Sequence, residues 1–141
     1  MAGFLELDIK VGDLMTKDLV TVKFSEPVFN LVKMMSEKGI SGVIVVDNIG
    51  EVMGVVSALD IFKLFHEESI ITMRKLIAED IMTPFITEVY PDDGLEVAAL
   101  KMLEQNIHRL IVTSPMSNKK AVGIITSTDV LREMAKEIEK A

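Results

Sequence analysis

A chain of 141 residues with no cysteine can build a real core, yet it is barred from disulfides, thiolate metal sites and cysteine catalysis. A net charge of −7 spread along the sequence repels nucleic acid and anionic membrane surfaces. With 49% hydrophobic and 5% aromatic residues, the core must come from Val, Ile, Leu and Met.

In chain order, residues 19–23 read as a short strand. Ser25 is a candidate helix cap, with Pro27 in the first turn, where a missing N–H is harmless. Val28, Leu31, Val32 and Met35 follow at helical spacing, and Gly39 suits a left-handed stop. Residues 42–46 form a continuous β-branched run, the pattern of a strand covered on both faces. Asp47-Asn48-Ile49-Gly50 has turn chemistry, so residues 51–56 pair back as a hairpin, and a helix starts near Ser57. Residues 65–77 hold no Gly or Pro and keep Ile70, Ile71, Met73, Leu76 and Ile77 apolar, which predicts an ordered crossover. Asp92 or Asp93 then caps a helix carrying Leu95, Ala98, Ala99, Met102 and Leu103. Residues 110–113 and 122–126 make a second hairpin, and residues 128–140 a closing helix. The expected fold class is α/β (α+β), in two β-α-β-β-α repeats.

Those repeats are written into the sequence. Asp13-Leu14-Met15-Thr16 returns as Asp80-Ile81-Met82-Thr83, and the run starting at Ile40 returns at Ile107, both at a spacing of 67. Gly54-Val55-Val56-Ser57-Ala58-Leu59-Asp60 returns as Gly123-Ile124-Ile125-Thr126-Ser127-Thr128-Asp129, at a spacing of 69. Duplication implies two similar halves about a pseudo-twofold axis, with any pocket present twice.

The last of these motifs carries the chemistry. A buried strand delivers a hydroxyl residue to a helix mouth, and an acid follows three positions later. Two readings share that geometry. In one it is a capping box, with Asp129 or Asp60 reaching back to the cap N–H. In the other the helix mouth receives phosphate while the carboxylate accepts both hydroxyls of a ribose.

The ordered combination of Asp-hydrophobic-Met-Thr, strand, helix, Val-rich strand and Gly-hydrophobic-hydrophobic-Ser/Thr-x-x-Asp, occurring twice, resembles a tandem pair of CBS (cystathionine β-synthase) domains. The resemblance spans roughly residues 7–135, with repeats at 7–65 and 78–135 and a crossover at 66–77, and leaves no room for an attached catalytic domain. It implies a disc-like module with two clefts between its halves that bind an adenosine-containing ligand (AMP, ADP, ATP, NAD or S-adenosylmethionine). It also implies a homodimer that regulates a protein partner, with no cofactor required and no enzyme activity of its own.

Carried over by position, one cleft uses Asp129 for the ribose, Thr126 and Thr128 near phosphate or sugar, and His108 and Arg109 toward the phosphates. Thr16, Asp18, Val20, Ile40, Ser41 and Ile124 line the same cleft. Arg109 suits this role because its planar fork meets phosphate oxygens bidentately. The mirror cleft uses Asp60 and Ser57 with Val55, Thr83, Phe85, Thr87 and Ile107. There Leu59 stands in place of Thr128, and Ser41-Gly42 in place of His108-Arg109. The two clefts are therefore expected to be unequal, the Asp129 cleft taking a phosphorylated ligand. The alternative is a structural dimerisation scaffold whose clefts are vestigial.

Other chemistries lack support. The sequence holds no G-x-G-x-x-G and no Walker loop. Metal binding is not expected, because His108 and His66 are the only imidazoles. Glu67-Glu68 and Asp92-Asp93 are adjacent pairs that point apart on any regular element. No basic leader and no apolar run of about 18 residues is present, so the expectation is a cytoplasmic protein.

Overall fold

The computed structural model describes residues 8–85, 87–116 and 119–140. Two compact units emerge, and they do not follow the sequence repeats. The chain up to Leu19 belongs with everything from Thr87 onward, and the stretch between forms the other unit.

In the central unit, β1 (Thr21–Lys23) runs parallel to β2 (Gly42–Val46), which pairs antiparallel with β3 (Val52–Ser57). β3 pairs in turn with the two-residue β4 (Thr83–Pro84). Val43, Ile44 and Val45 are consecutive and all buried, as the unbroken β-branched run predicts. Helix α2 (Val28–Lys38) lays Leu31 and Met35 against the sheet, and α3 (Ala58–Glu67) adds Ile61. Gly39 ends α2 with a φ of 63°, the left-handed stop its sequence position suggests. In the crossover, α4 (Ile70–Met73) buries Met73, while Ile70 and Ile71 stand exposed. Helix α5 (Ala78–Ile81) leads into β4.

The other unit repeats this plan with reduced edges. Helix α1 (Val11–Leu14) stands where α5 stands in the first unit, and α6 (Leu95–Gln105) where α2 does. β5 (Arg109–Thr113) pairs antiparallel with β6 (Ala121–Thr126), and α7 (Ser127–Lys140) closes the unit. The edge strands shrink to single bridges, Val89 with Val112 and Thr16 with Ile124. The core here is Val11, Leu95, Ala98, Met102, Ile125 and neighbours. Asn106 takes the left-handed position of Gly39, with a φ of 53°. Asparagine is the residue that best replaces glycine in that conformation.

Two helix starts differ from the expected ones. Pro27 is itself the cap of α2 and Ser25 contributes no cap bond, because the Glu26 N–H donates to the Lys23 carbonyl in a turn and Pro27 bridges to Ile77. Gly94, not Asp92 or Asp93, precedes α6. The Asp93 carboxylate instead accepts the Tyr90 N–H at 2.8 Å. Thr113 is fully buried, and its hydroxyl has no partner among the described residues. Val46 holds the same place in the first unit, so the hydroxyl is an uncompensated burial of a polar group.

The motif glycines have a steric cause. A Cβ on Gly54 would fall inside contact distance of the Thr83 carbonyl oxygen and at 2.9 Å from Met82 Sδ. A Cβ on Gly123 would collide with the Met15 side chain. Each Asp-x-Met-Thr segment therefore docks on the hairpin of the opposite sequence repeat, Met15-Thr16 on β6 and Met82-Thr83 on β3. The two motifs of the duplication are two sides of one contact, repeated.

Candidate functional site

Strand β6 ends at Thr126 and α7 begins one residue later, so the strand axis delivers the Thr126 side chain to the helix mouth. One oxygen of Asp129, Oδ2, accepts the Thr126 N–H at 2.8 Å and the Thr126 hydroxyl at 3.0 Å. The Asp129 N–H returns to Thr126 Oγ1 at 3.3 Å. This is the reciprocal capping box. The second oxygen, Oδ1, faces Arg132 Nη1 at 3.6 Å.

Arg109 opens β5 directly opposite Thr126 in the strand register and is exposed. His108 is exposed too, its Nδ1 3.5 Å from the Ser127 hydroxyl, and its carbonyl accepts the Ser127 N–H at 2.8 Å. Thr16 and Ile124 exchange both backbone bonds, at 2.8 and 2.9 Å, which anchors the N-terminal segment beside the same strand end. Asp18 and Thr128 are exposed. Within this unit, then, Thr16, His108, Arg109, Ile124, Thr126 and Asp129 converge on one end of β6. Two of the first three N–H groups of α7, those of Ser127 and Asp129, are already taken. The mouth thus offers fewer free donors to an anion than an uncapped helix, and cationic side chains matter correspondingly more.

The central unit reproduces the capping geometry. Asp60 Oδ2 accepts the Ser57 N–H at 2.8 Å and its hydroxyl at 3.0 Å, and the Asp60 N–H returns at 3.3 Å. The Ala58 N–H donates to the Ser41 carbonyl at 2.9 Å, as Ser127 does to His108. Thr83 pairs with Val55 in register, and the Phe85 N–H donates to the Met53 carbonyl. The side chains around the acid differ, however. Gly42 faces Ser57 where Arg109 faces Thr126, and Leu59, 74% exposed, stands where Thr128 does. Val20, Ile40 and Ser41 lie in this unit, whereas Thr87 and Ile107 lie in the unit of Asp129.

Arg132 carries no motif signal of its own. Its position one turn past Asp129 on α7 is what brings the charges together. Among the described residues no cluster of three or more His, Asp or Glu could hold a metal, and no helix is long and apolar enough to cross a membrane.

The CBS domain family pattern matches residues 11–67 and again residues 78–136. The chain belongs to the CBS domain family. A solved CBS domain pair in complex with 5′-methylthioadenosine and S-adenosyl-L-methionine is 26% identical, with a TM-score of 0.74 over 91% of this chain and 97% of that one. CBSX2 in complex with AMP is 32% identical, with a TM-score of 0.75 over 93% of this chain and 98% of that one. Among curated relatives, an uncharacterised protein of Methanocaldococcus jannaschii is 35% identical over 89% of this chain. A homoserine O-acetyltransferase of Methanosalsum zhilinae is 30% identical over 92% of it. This CBS pair spans only 39% and 25% of the lengths of those two proteins.

Proposed function

We propose that this CBS pair is a regulatory module that senses an adenosine-containing ligand, and that it is not itself an enzyme. The observation that carries the reading is the β6–α7 junction. There an acid with one oxygen oriented by the cap leaves its other oxygen for a ribose diol, with Arg109 across the strand pair for phosphate. The AMP and S-adenosylmethionine complexes of similar CBS pairs support the ligand class. The ribose falls to Asp129, the phosphates to Arg109 and His108, and Thr16, Asp18, Ile124, Thr126 and Thr128 surround them. Within the central unit, Asp60 and Ser57 with Val55, Thr83 and Phe85 offer the same carboxylate without a cation at the position of Arg109, and so suit an uncharged or cationic tail. Ligand binding biases a dimer and its regulated protein partner only through unequal affinity for their states.

The module is proposed to act in the cytoplasm as a homodimer. Leu59, Phe62 and Phe65 on α3 and Leu131 and Ile138 on α7 are all exposed in the single chain, apolar surface that a second copy would cover. The same exposed residues favour the second reading, a dimerisation scaffold. A thermal-shift screen against AMP, ADP, ATP, NAD and S-adenosylmethionine separates the two. A ligand at a hundredfold over its dissociation constant adds about 2.7 kcal/mol, a rise of several degrees in Tm. A rise with at least one of the five supports the sensor, and no rise with any of them supports the scaffold.

A further inference from the structure

We infer that Arg132 is a specificity residue, an internal counter-ion that guards Asp129 against uncharged nucleosides and yields to phosphorylated ones. The inference rests on the ligand-sensing reading of the Asp129 junction. It starts from how the two oxygens of that carboxylate are divided. Oδ2 is spent on Thr126, accepting both its N–H and its hydroxyl. Only Oδ1 is left to accept a ligand hydroxyl, and Oδ1 is the oxygen that faces Arg132 Nη1.

At 3.6 Å this ion pair is too long for a good hydrogen bond, and the Arg132 side chain is 63% exposed against 16% for Asp129. It is a loose, solvent-screened pair, exchangeable at small cost. A neutral nucleoside that places its diol on Oδ1 must displace or share the guanidinium and offers it nothing in return. A nucleotide brings its own anion, to which the guanidinium can swing while Oδ1 is released to the ribose. Arg132 thus opposes adenosine and supports AMP, on top of the attraction supplied by Arg109.

The central unit serves as the internal control. Asp60 divides its oxygens in the same way, with Oδ2 spent on Ser57. The residue one turn on is Lys63, and no ion pair joins it to Asp60 among the described residues. The guard is therefore a feature of one unit and not of the duplicated motif.

The test is to measure dissociation constants for adenosine and AMP with the whole chain, its Arg132→Gln variant and its Arg132→Lys variant. Glutamine keeps helix propensity and removes the charge, and circular dichroism checks that α7 is intact. The expected result for Arg132→Gln is adenosine bound about threefold to fivefold tighter and AMP bound weaker by a similar factor, the scale of an exposed ion pair. Arg132→Lys should restore most of the wild-type ratio. A merely structural role would shift both ligands in the same direction, and that result, or an unchanged ratio, overturns the inference while leaving the sensor reading standing. Failure of the wild-type chain to bind either ligand overturns the inference, and the five-ligand thermal-shift screen then decides the sensor reading separately.

Discussion

Asp129→Asn lowers affinity for an adenosine ligand by roughly 10- to 100-fold while leaving the fold in place. Asparagine retains one oxygen, which can still accept the Thr126 N–H and keep the cap of α7. It replaces the second oxygen with an NH2 group, a donor that cannot accept a ribose hydroxyl. Losing a hydrogen bond to a charged acceptor costs about 1.5–3 kcal/mol, which sets the range. Asp129→Ala is the poorer variant, because it removes the cap as well and by itself costs roughly 0.5–2 kcal/mol of stability. The matching change Asp60→Asn disturbs an equivalent cap, with the same 2.8 and 3.0 Å bonds to Ser57. It should therefore match Asp129→Asn in Tm and differ from it in affinity for AMP. Binding isotherms and melting curves on both variants check this. A large Tm loss with affinity kept would mean the acids are caps alone, and equal affinity losses would mean that both acids bind the ligand.

The second large effect concerns folding. Gly54→Ala lowers stability by roughly 2–3 kcal/mol and Gly123→Ala by only about 1 kcal/mol, although both glycines occupy the same place in the repeated motif. The new methyl at Gly54 meets the Thr83 carbonyl, which belongs to the β3–β4 ladder and cannot retreat without breaking it. At Gly123 the nearest obstacles are Met15 Sδ and Cγ, which side-chain rotation moves aside, while Met15 Cβ at 3.0 Å has to give by only a few tenths of an ångström. Any gain from replacing glycine in a strand is common to both and cancels in the comparison. At roughly 3–5 °C per kcal/mol for a chain of this size, the two melting curves should separate clearly. Equal losses would show that the backbone clash is relieved elsewhere.

Much of the fold is legible because its strands are of a kind that sequence marks well. The run through Val43, Ile44 and Val45 has the pattern of a doubly covered strand, and Asp47 to Gly50 has turn chemistry, and both form as read. The helix starts were harder, since Ser25, Asp92 and Asp93 all have capping chemistry. The deciding facts are tertiary or belong to a neighbouring turn, namely the Pro27–Ile77 bridge and the Asp93–Tyr90 bond. The same limit applies to the site. The Thr126–Asp129 pairing is local and reads directly from a spacing of three, as does Ser57–Asp60. That Met15 packs on Gly123, so that the N-terminal segment folds with the second repeat, is a contact between distant residues that neither motif announces. Arg132 was hidden differently: a single arginine on a polar helix face signals nothing until the neighbouring carboxylate is seen to have an oxygen unspent.

The central claim is that the Asp129 unit holds the one site built for a phosphorylated adenosine ligand. A calorimetric titration of the chain with AMP tests it most directly, repeated with Arg109→Ala, a change to an exposed side chain outside either core. The account predicts one tight site per chain, weakened about tenfold or more by Arg109→Ala, as expected when a charge-assisted phosphate contact is removed. Two equivalent AMP sites per chain, or one site indifferent to Arg109, would contradict it.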